Sequence, residues 1–286
     1  MQKKSAFTLV EISIVVLIIG ILVTGVIKSD TILRHSKLAS AKSLTKKSPV
    51  PNIDNLMLWY EATSKESFIS NEVMDNSAIS TWYDLNTQNA IQNNATSSGS
   101  FKPSYIANCM NSIPCLRFDG TDDYLDFASG ALAQSSYTIF VVEQRRTASA
   151  SNYFISGSVG AVNSNIVVGY RYHDTLTQAH WGNDIDYSIA TYTYPIPQIH
   201  NFLFSKTAGK SYWLNNASNT ANITNNTQTT AVSTYNGGKI GGQPPLGFHY
   251  SGDISEIIIY NRSLASQERK DVMKYLSKKY NIAISL

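Results

Sequence analysis

GDISEIIIYNRSLASQERKDVMKYLSKKY, Gly252 to Tyr280, sets a strand, a turn and a helix in one short run. DISEIIIY, from Asp253, is rich in β-branched and aromatic residues, which suit a pleated, half-buried surface. The period then changes. Val272, Met273, Leu276 and Tyr280 share one helical face and Lys274, Lys278 and Lys279 take the other, so the spacing predicts a helix from about Ser266 to Tyr280, with Ser266 as its cap, that closes the chain against a sheet.

Working outward, further strand signals precede this run: CLRF before Asp119-Gly120, YTIFVVEQ from Tyr137, NIVVGYRY from Asn165, HNFLFSK from His200, SYWLN from Ser211 and KIGG from Lys239. Gly, Asn and Pro clusters separate them, and short strands at such spacing predict an all-β sandwich or barrel. Upstream, SPVPN at Ser48 to Asn52 places two prolines among turn formers, which reads as a linker over 48–53. Residues 54–286 are then one β-rich head. The chain carries 23 Lys and Arg against 20 Asp and Glu, and most of the excess precedes the linker. The basic residues of the head neither cluster nor interleave with aromatics, which excludes a nucleic-acid partner.

The N-terminus is MQKKSAFTLVEISIVVLIIGILVTGVI. A basic leader with Lys3 and Lys4 comes before the apolar run, and Glu11 lies inside it. Nothing from Phe7 to about Lys47 interrupts a helix except Gly20 and Gly25, which spanning helices tolerate, so residues 7–47 are expected to form a transmembrane helix and stem. The stem, from Lys28, mixes Ile32, Leu33, Leu38, Ala41 and Leu44 with basic residues; it either packs on a surface or stands solvated. Counted alone, the Lys and Arg after the apolar run outnumber those before it and would favour a cytoplasmic C-terminus.

These residues resemble the type IV prepilin leader shared by pilins, minor pilins and type II secretion pseudopilins, with Lys4, Phe7, Thr8, Leu9, Val10 and Glu11 fitting the pattern. Ala6 stands where the family usually has Gly. The resemblance implies a leader over 1–6, cleavage by a prepilin peptidase between Ala6 and Phe7, methylation of Phe7, and assembly with other pilin-like subunits. It also implies a single-pass protein of the bacterial inner membrane whose head is exported to the periplasm or the cell surface. Glu11 would meet a neighbour's N-terminal amine during assembly; the alternative is a carboxylate that snorkels to the bilayer surface. Lys28 occupies the neighbourhood of the helix-kinking Pro of many major pilins, which points to a minor pilin or pseudopilin.

The order of segments in the head resembles concanavalin A-like lectin domains of the laminin G-like, or jelly-roll, type. LWYEA (58–62), TWYDL (81–85), LRFDGTDDYLDF (116–127), SYTIFVVEQR (136–145) and the opening stretch carry the likeness.

Cys109 and Cys115 bracket a short loop, and in an oxidising compartment a disulfide there would restrict it; two inert thiols are the alternative. Asp119, Asp122 and Asp123, with Asp126 nearby, are a candidate calcium cluster, whereas Asp119-Gly120 also reads as a plain turn. Calcium is the one cofactor the sequence offers. For a glycan or surface ligand, HWGNDIDY provides Trp181, Asn183, Asp184, Asp186 and Tyr187, with Tyr192 and Tyr194 beyond, in what reads as a loop-rich region. Trp59, Trp82 and Trp213 read as core. Glu143 and Glu256 each stand alone in a strand, Asp184 and Asp186 have no glutamate nearby, and no nucleophile elbow or phosphate loop occurs, so the chain is expected not to be an enzyme. The sequence therefore predicts a pilin-like subunit displaying a lectin-like adhesion or recognition head. A membrane-tethered carbohydrate-binding or scaffold protein outside any filament is the alternative, and a glycan hydrolase a second.

Overall fold

The computed structural model describes residues 8–158, 161–189, 195–215, 228–235 and 237–284, with the side chains at 22–30 outside that description. Ala6, Phe7, Tyr192 and Tyr194 lie outside the described residues. In chain order the elements are α1 (Leu9–Lys46), β1 (Leu56–Glu61), β2 (Thr81–Trp82), β3 (Ala95–Thr96), β4 (Ser104–Met110), β5 (Ile113–Asp119), β6 (Leu125–Phe127), β7 (Tyr137–Arg145), β8 (Asn152–Ser156), β9 (Val167–Tyr172), β10 (Thr175–Ala179), β11 (Ile185–Ser188), β12 (Gln198–Ser205), β13 (Gly209–Leu214), β14 (Gly238–Ile240), β15 (Gly242–Gln243), β16 (Phe248–His249), β17 (Ser251–Tyr260) and α2 (Ser266–Tyr280).

Two antiparallel sheets stack as a β-sandwich. One runs β13-β12-β7-β17-β5-β4, with β1 also paired to β17; the other runs β11-β10-β9-β8-β14-β6-β3-β2. Alternation along the strands explains the layers. From β7, Tyr137, Ile139 and Val141 point between the sheets to meet Phe154, Val168, Tyr170 and Leu176 of the second sheet. Phe140 and Val142 point the other way, where β17 sends Ile258 and Tyr260 and α2 lays down Val272, Met273 and Leu276. The seven-stranded sheet is thus buried on both faces, which is why β7 is buried at every residue. The predicted disulfide is present: Cys109 and Cys115 close the end of the β4–β5 hairpin, their Cα atoms 5.8 Å apart.

Four expectations are corrected. Residues 48–53 are not a free linker: Val50–Asn52 form a 3-10 turn, Ser48 and Val50 are buried, and the Tyr260 hydroxyl donates to the Val50 carbonyl at 3.0 Å. Lys279 does not lie on the solvent face of α2 but is buried, for a reason given below. The α2 cap is Ala265 and not Ser266; the Glu268 carboxylate accepts from the Ala265 N–H at 2.8 Å and pairs with Arg262. Trp59 and Trp82 are core, whereas Trp213 is half-buried beneath the Arg269 guanidinium, 3.6 Å from its ring centre.

The 38 residues of α1 reach roughly 57 Å at 1.5 Å per residue. Its last turns seat on the head: Ala41 and Thr45 are buried, and α1 packs on α2 and β5. Among the described residues no helix is long and apolar enough to cross a membrane.

Candidate functional site: an aromatic groove on the outer sheet

The eight-stranded sheet turns Phe154, Val168, Tyr170 and Leu176 inward, so Tyr153, Val167, Arg171 and Ala179 face out. Gly169 lies beneath them, where an added Cβ would stand 2.5 Å from the Tyr153 Cα; glycine lets β8 and β9 approach there. Trp181 and Gly182, both with positive φ, make the turn of the β10–β11 hairpin and fold the indole back over this face. Phe248 arrives from the β15–β16 hairpin and meets Tyr153 edge to face, with centroids 5.8 Å apart. Together these residues wall a groove of about 330 Å³ that also exposes Ser151, Arg171 and Asp184. The Trp181 Nε1–H is buried and has no hydrogen-bond partner among the described residues.

A single cation organises the rim. Arg171 Nη2 lies 2.7 Å from Asp184 Oδ2 and Nη1 lies 3.3 Å from Asp186 Oδ2. Asp184 does more than pair: its other oxygen accepts the backbone N–H groups of His180 at 3.0 Å and Gly182 at 3.2 Å, which fixes the turn. Burial pushes the Asp184 carboxyl up, but Arg171 and these N–H donors outweigh it and hold the group below the usual carboxylate range. Asp186 is exposed, on the outer face of β11.

The sequence-based ligand group is only partly assembled. Trp181 and Asp184 line the groove and Asp186 adjoins it through Arg171, but Tyr187 points into the core, beside Tyr212 and donating to Gln178 at 2.9 Å. Asn183 stays at the turn, bonded to Asn163 at 2.6 Å and with its carbonyl taken by Lys210. The region is a β-hairpin and its turn, not a loop. His180 is wholly buried, Nδ1 facing the Thr230 carbonyl and Nε2 the Tyr137 hydroxyl. Burial and the nearby Lys210 pull its pKa down to about 3, so it is a neutral link in the core. Sequence reading missed Tyr153, Arg171 and Phe248. The outward phase of VVGYRY could have pointed to Arg171; nothing local marks Phe248.

Asp119, Asp122 and Asp123 do converge, with carboxylate oxygens within 4.8 Å of one another. Their oxygens also serve the turn, accepting the N–H groups of Thr121 at 2.7 Å and of Asp119 at 2.9 Å. Asp126 is apart from them, paired with Lys239. A larger groove, about 620 Å³, lies beside residues 89–96, and two of its amides are committed: Asn93 exchanges two bonds with the Ala128 backbone and Asn94 accepts from Asp84 N–H.

Buried carboxylates account for the lone glutamates. Glu256 is not alone: it stands opposite Glu61 in the β1–β17 register, and Lys279 Nζ bridges them at 2.7 and 2.8 Å. Trp59, Tyr275 and Tyr280 donate to Glu256, and Thr63 donates to Glu61. Thr45 of α1 borders the same network. Glu143, between the sheets, accepts from Tyr170 and Tyr250 and meets His200 Nε2 at 2.8 Å.

Residues 1–27 match the prokaryotic N-terminal methylation motif, which gives the chain a type IV pilin-like N-terminus and implies prepilin peptidase processing and assembly with other pilin subunits. No curated protein matches the chain in sequence. Among solved structures, the chain is similar to a Trypanosoma rangeli sialidase in complex with 2,3-difluorosialic acid, at 12% identity and a TM-score of 0.54 over 85% of this chain and 38% of that one. It is also similar to domain 4 of AbnA, a GH43 extracellular arabinanase from Geobacillus stearothermophilus, in complex with arabinotriose, at 13% identity and a TM-score of 0.53 over 77% of this chain and 98% of that domain. A third is an arabinofuranosidase complexed with arabinofuranosyl-alpha-1,2-xylobiose, at 10% identity and a TM-score of 0.52 over 71% and 51%. The chain spans about a third of the length of the sialidases it matches. At such identities the likeness shows the β-sandwich fold. It also corrects the expectation that the chain is not an enzyme: proteins sharing the fold include a sialidase, an arabinanase and an arabinofuranosidase, so the absence of a local carboxylate run is no ground for excluding catalysis.

Proposed function

We propose that the chain is a minor pilin or pseudopilin-like subunit whose concanavalin A-like head presents a glycan-binding groove. One observation carries the reading: the methylation motif matched at 1–27 overlaps the start of α1, and α1 continues unbroken to an end seated in the head rather than tethered to it. A filament subunit needs this continuity, because the helix extracted from the membrane must carry its cargo with it. Phe7 to Ile27 would lie in the bacterial inner membrane as a single pass, with the head exported. At the start of α1 the Glu11 carboxylate accepts from Thr8 N–H at 2.7 Å and from the Thr8 hydroxyl at 2.8 Å, a capping box that keeps it within the chain until a neighbour's amine displaces it.

The groove supports the head's role. Trp181, Tyr153 and Phe248 supply apolar faces on which a sugar ring can stack, and Ser151, Arg171 and Asp184 supply groups for its hydroxyls. Hydrolysis is the second reading, supported by the glycan-active proteins that share the fold and by the carboxylate of Asp184 in the groove.

The test of the anchor is intact mass and N-terminal peptide spectrometry with and without a prepilin peptidase. A mature chain beginning at methylated Phe7, seen only with the peptidase and then recovered in sheared filaments, is the expected result. A peptidase-dependent cut without recovery in filaments would leave a tethered binding protein. For the head, oligosaccharide binding and product release are followed together, so that turnover abolished by Asp184→Asn identifies a hydrolase.

A further inference from the structure

The groove carries a charge pattern that says which glycans it takes. Arg171 and Asp184 line it, and Asp186 stands just outside, bonded to Arg171, so one guanidinium and two carboxylates leave a net negative edge, although the walls are aromatic and uncharged. A free arginine in such a place would be the natural partner of a carboxylated sugar, since its planar fork matches a carboxylate with two parallel hydrogen bonds. Arg171 is not free. Asp184 accepts from Nη2 and Asp186 from Nη1, two of its three nitrogens.

The two carboxylates differ in what else they do. Asp184 is fixed by two backbone N–H groups of the turn and is part of the hairpin's construction. Asp186 stands on the exposed face of β11, its side chain 38% accessible, and its bond to Arg171 is the longer of the two. So exposed a pair contributes little to stability. Its consequence is electrostatic: it takes the second terminal nitrogen of Arg171 and adds a negative charge beside the groove.

We propose that Asp186 is a specificity-determining residue of the groove, which occupies Arg171 and thereby restricts the site to uncharged glycans and refuses sialylated or uronic-acid-bearing ones. The inference rests on the glycan-groove reading above and adds the chemical class of its ligand. An uncharged pyranose or furanose meets the aromatic walls and needs only neutral hydrogen bonds. A carboxylated sugar must be desolvated beside two anions and compete with both of them for the one guanidinium.

The experiment uses the full chain in detergent micelles and titrates it with matched ligands that differ by one acidic residue: lactose against sialyllactose, and xylotriose against glucuronyl-xylotriose. Wild type is compared with Asp186→Asn and, as a second variant free of any carboxamide, Asp186→Ser; unfolding temperatures check that both fold. The expected result is that wild type favours the neutral member by about tenfold or more, and that both variants narrow this gap by about tenfold while neutral affinity stays within about twofold. Equal wild-type affinity for the two members of a pair, or an unchanged gap in folded variants, overturns the inference and leaves the groove as a glycan site. Failure of wild type to bind either member of both pairs removes the groove reading and the inference with it.

Discussion

Three acidic clusters in this molecule differ in the cation they hold and in how far they stand from water. At the stem–head junction Glu61 and Glu256 share one lysine, all three side chains fully buried. At the groove Asp184 and Asp186 share one arginine that is about a quarter exposed. At the β5–β6 turn Asp119, Asp122 and Asp123 converge with no cation among their hydrogen-bond partners in the described residues. The electrostatics follow. Burial alone would push Glu61 up and Lys279 down; their proximity outweighs it, so Glu61 titrates below and Lys279 above its ordinary range. Glu256 receives less of that relief and burial leaves it raised. Similar carboxylates are therefore a structural clamp in one place, a selectivity device in another and a proton sink in the third.

Breaking the clamp gives the largest effect. Lys279→Met strands two carboxylates in the interior and should cost about 3–5 kcal/mol in unfolding free energy, read by denaturant titration. Adding Glu61→Gln and Glu256→Gln to that variant should recover much of the loss; a cost below about 1 kcal/mol for the single variant would erase the contrast with the exposed pair. At the groove, Trp181→Ala should weaken a neutral oligosaccharide by about tenfold, roughly 1.4 kcal/mol, while the unfolding midpoint stays close to wild type. A collapse of stability instead would make the indole core and not wall.

The cluster without a cation shows itself as a slope. Asp123 is pushed up to about 7 by burial and by Asp119 and Asp122, against the pull of the Asp119 N–H. The native state then holds a proton that the unfolded chain releases near its ordinary value of 3.8. Its contribution is fully present below that value and is lost as pH rises through about 7, so stability should decline between pH 4 and pH 7 and the decline should flatten in Asp123→Asn. Calcium, if it supplies the missing cation, should raise the wild-type unfolding temperature at about a millimolar and leave that variant unmoved. Smallest is the structural effect of Asp186→Asn, within about 0.5 kcal/mol, since exposed pairs contribute little.

Periodicity made α2 legible to its ends, Ser266 and Tyr280, and marked β7 and β17, because each is a long run of one period. The same reasoning misplaced Lys279. It lies four residues after Tyr275 and three after Leu276, on the edge of the apolar stripe, and only the glutamates waiting across β1 and β17 decide that it turns inward. Glu61 and Glu256 are 195 residues apart in sequence and directly opposite in register. No local pattern carries such a pairing. The groove was half legible for a related reason: Trp181 and Asp184 share a hairpin, but Tyr153 and Phe248 come from elements brought there by sheet order.

The seating of α1 has a geometric consequence. A helix that ends in a packed socket, with Ala41 and Thr45 buried and Val50 held by Tyr260, has no swivel below it and acts as a crankshaft. Each residue of an α-helix turns the path by about 100° and advances it by about 1.5 Å. Inserting one residue into the exposed part of α1, between Thr31 and Leu38, would thus leave every contact of the head intact and aim its groove about 100° away around the axis. The bearing of the binding face is written in the phase of the stem.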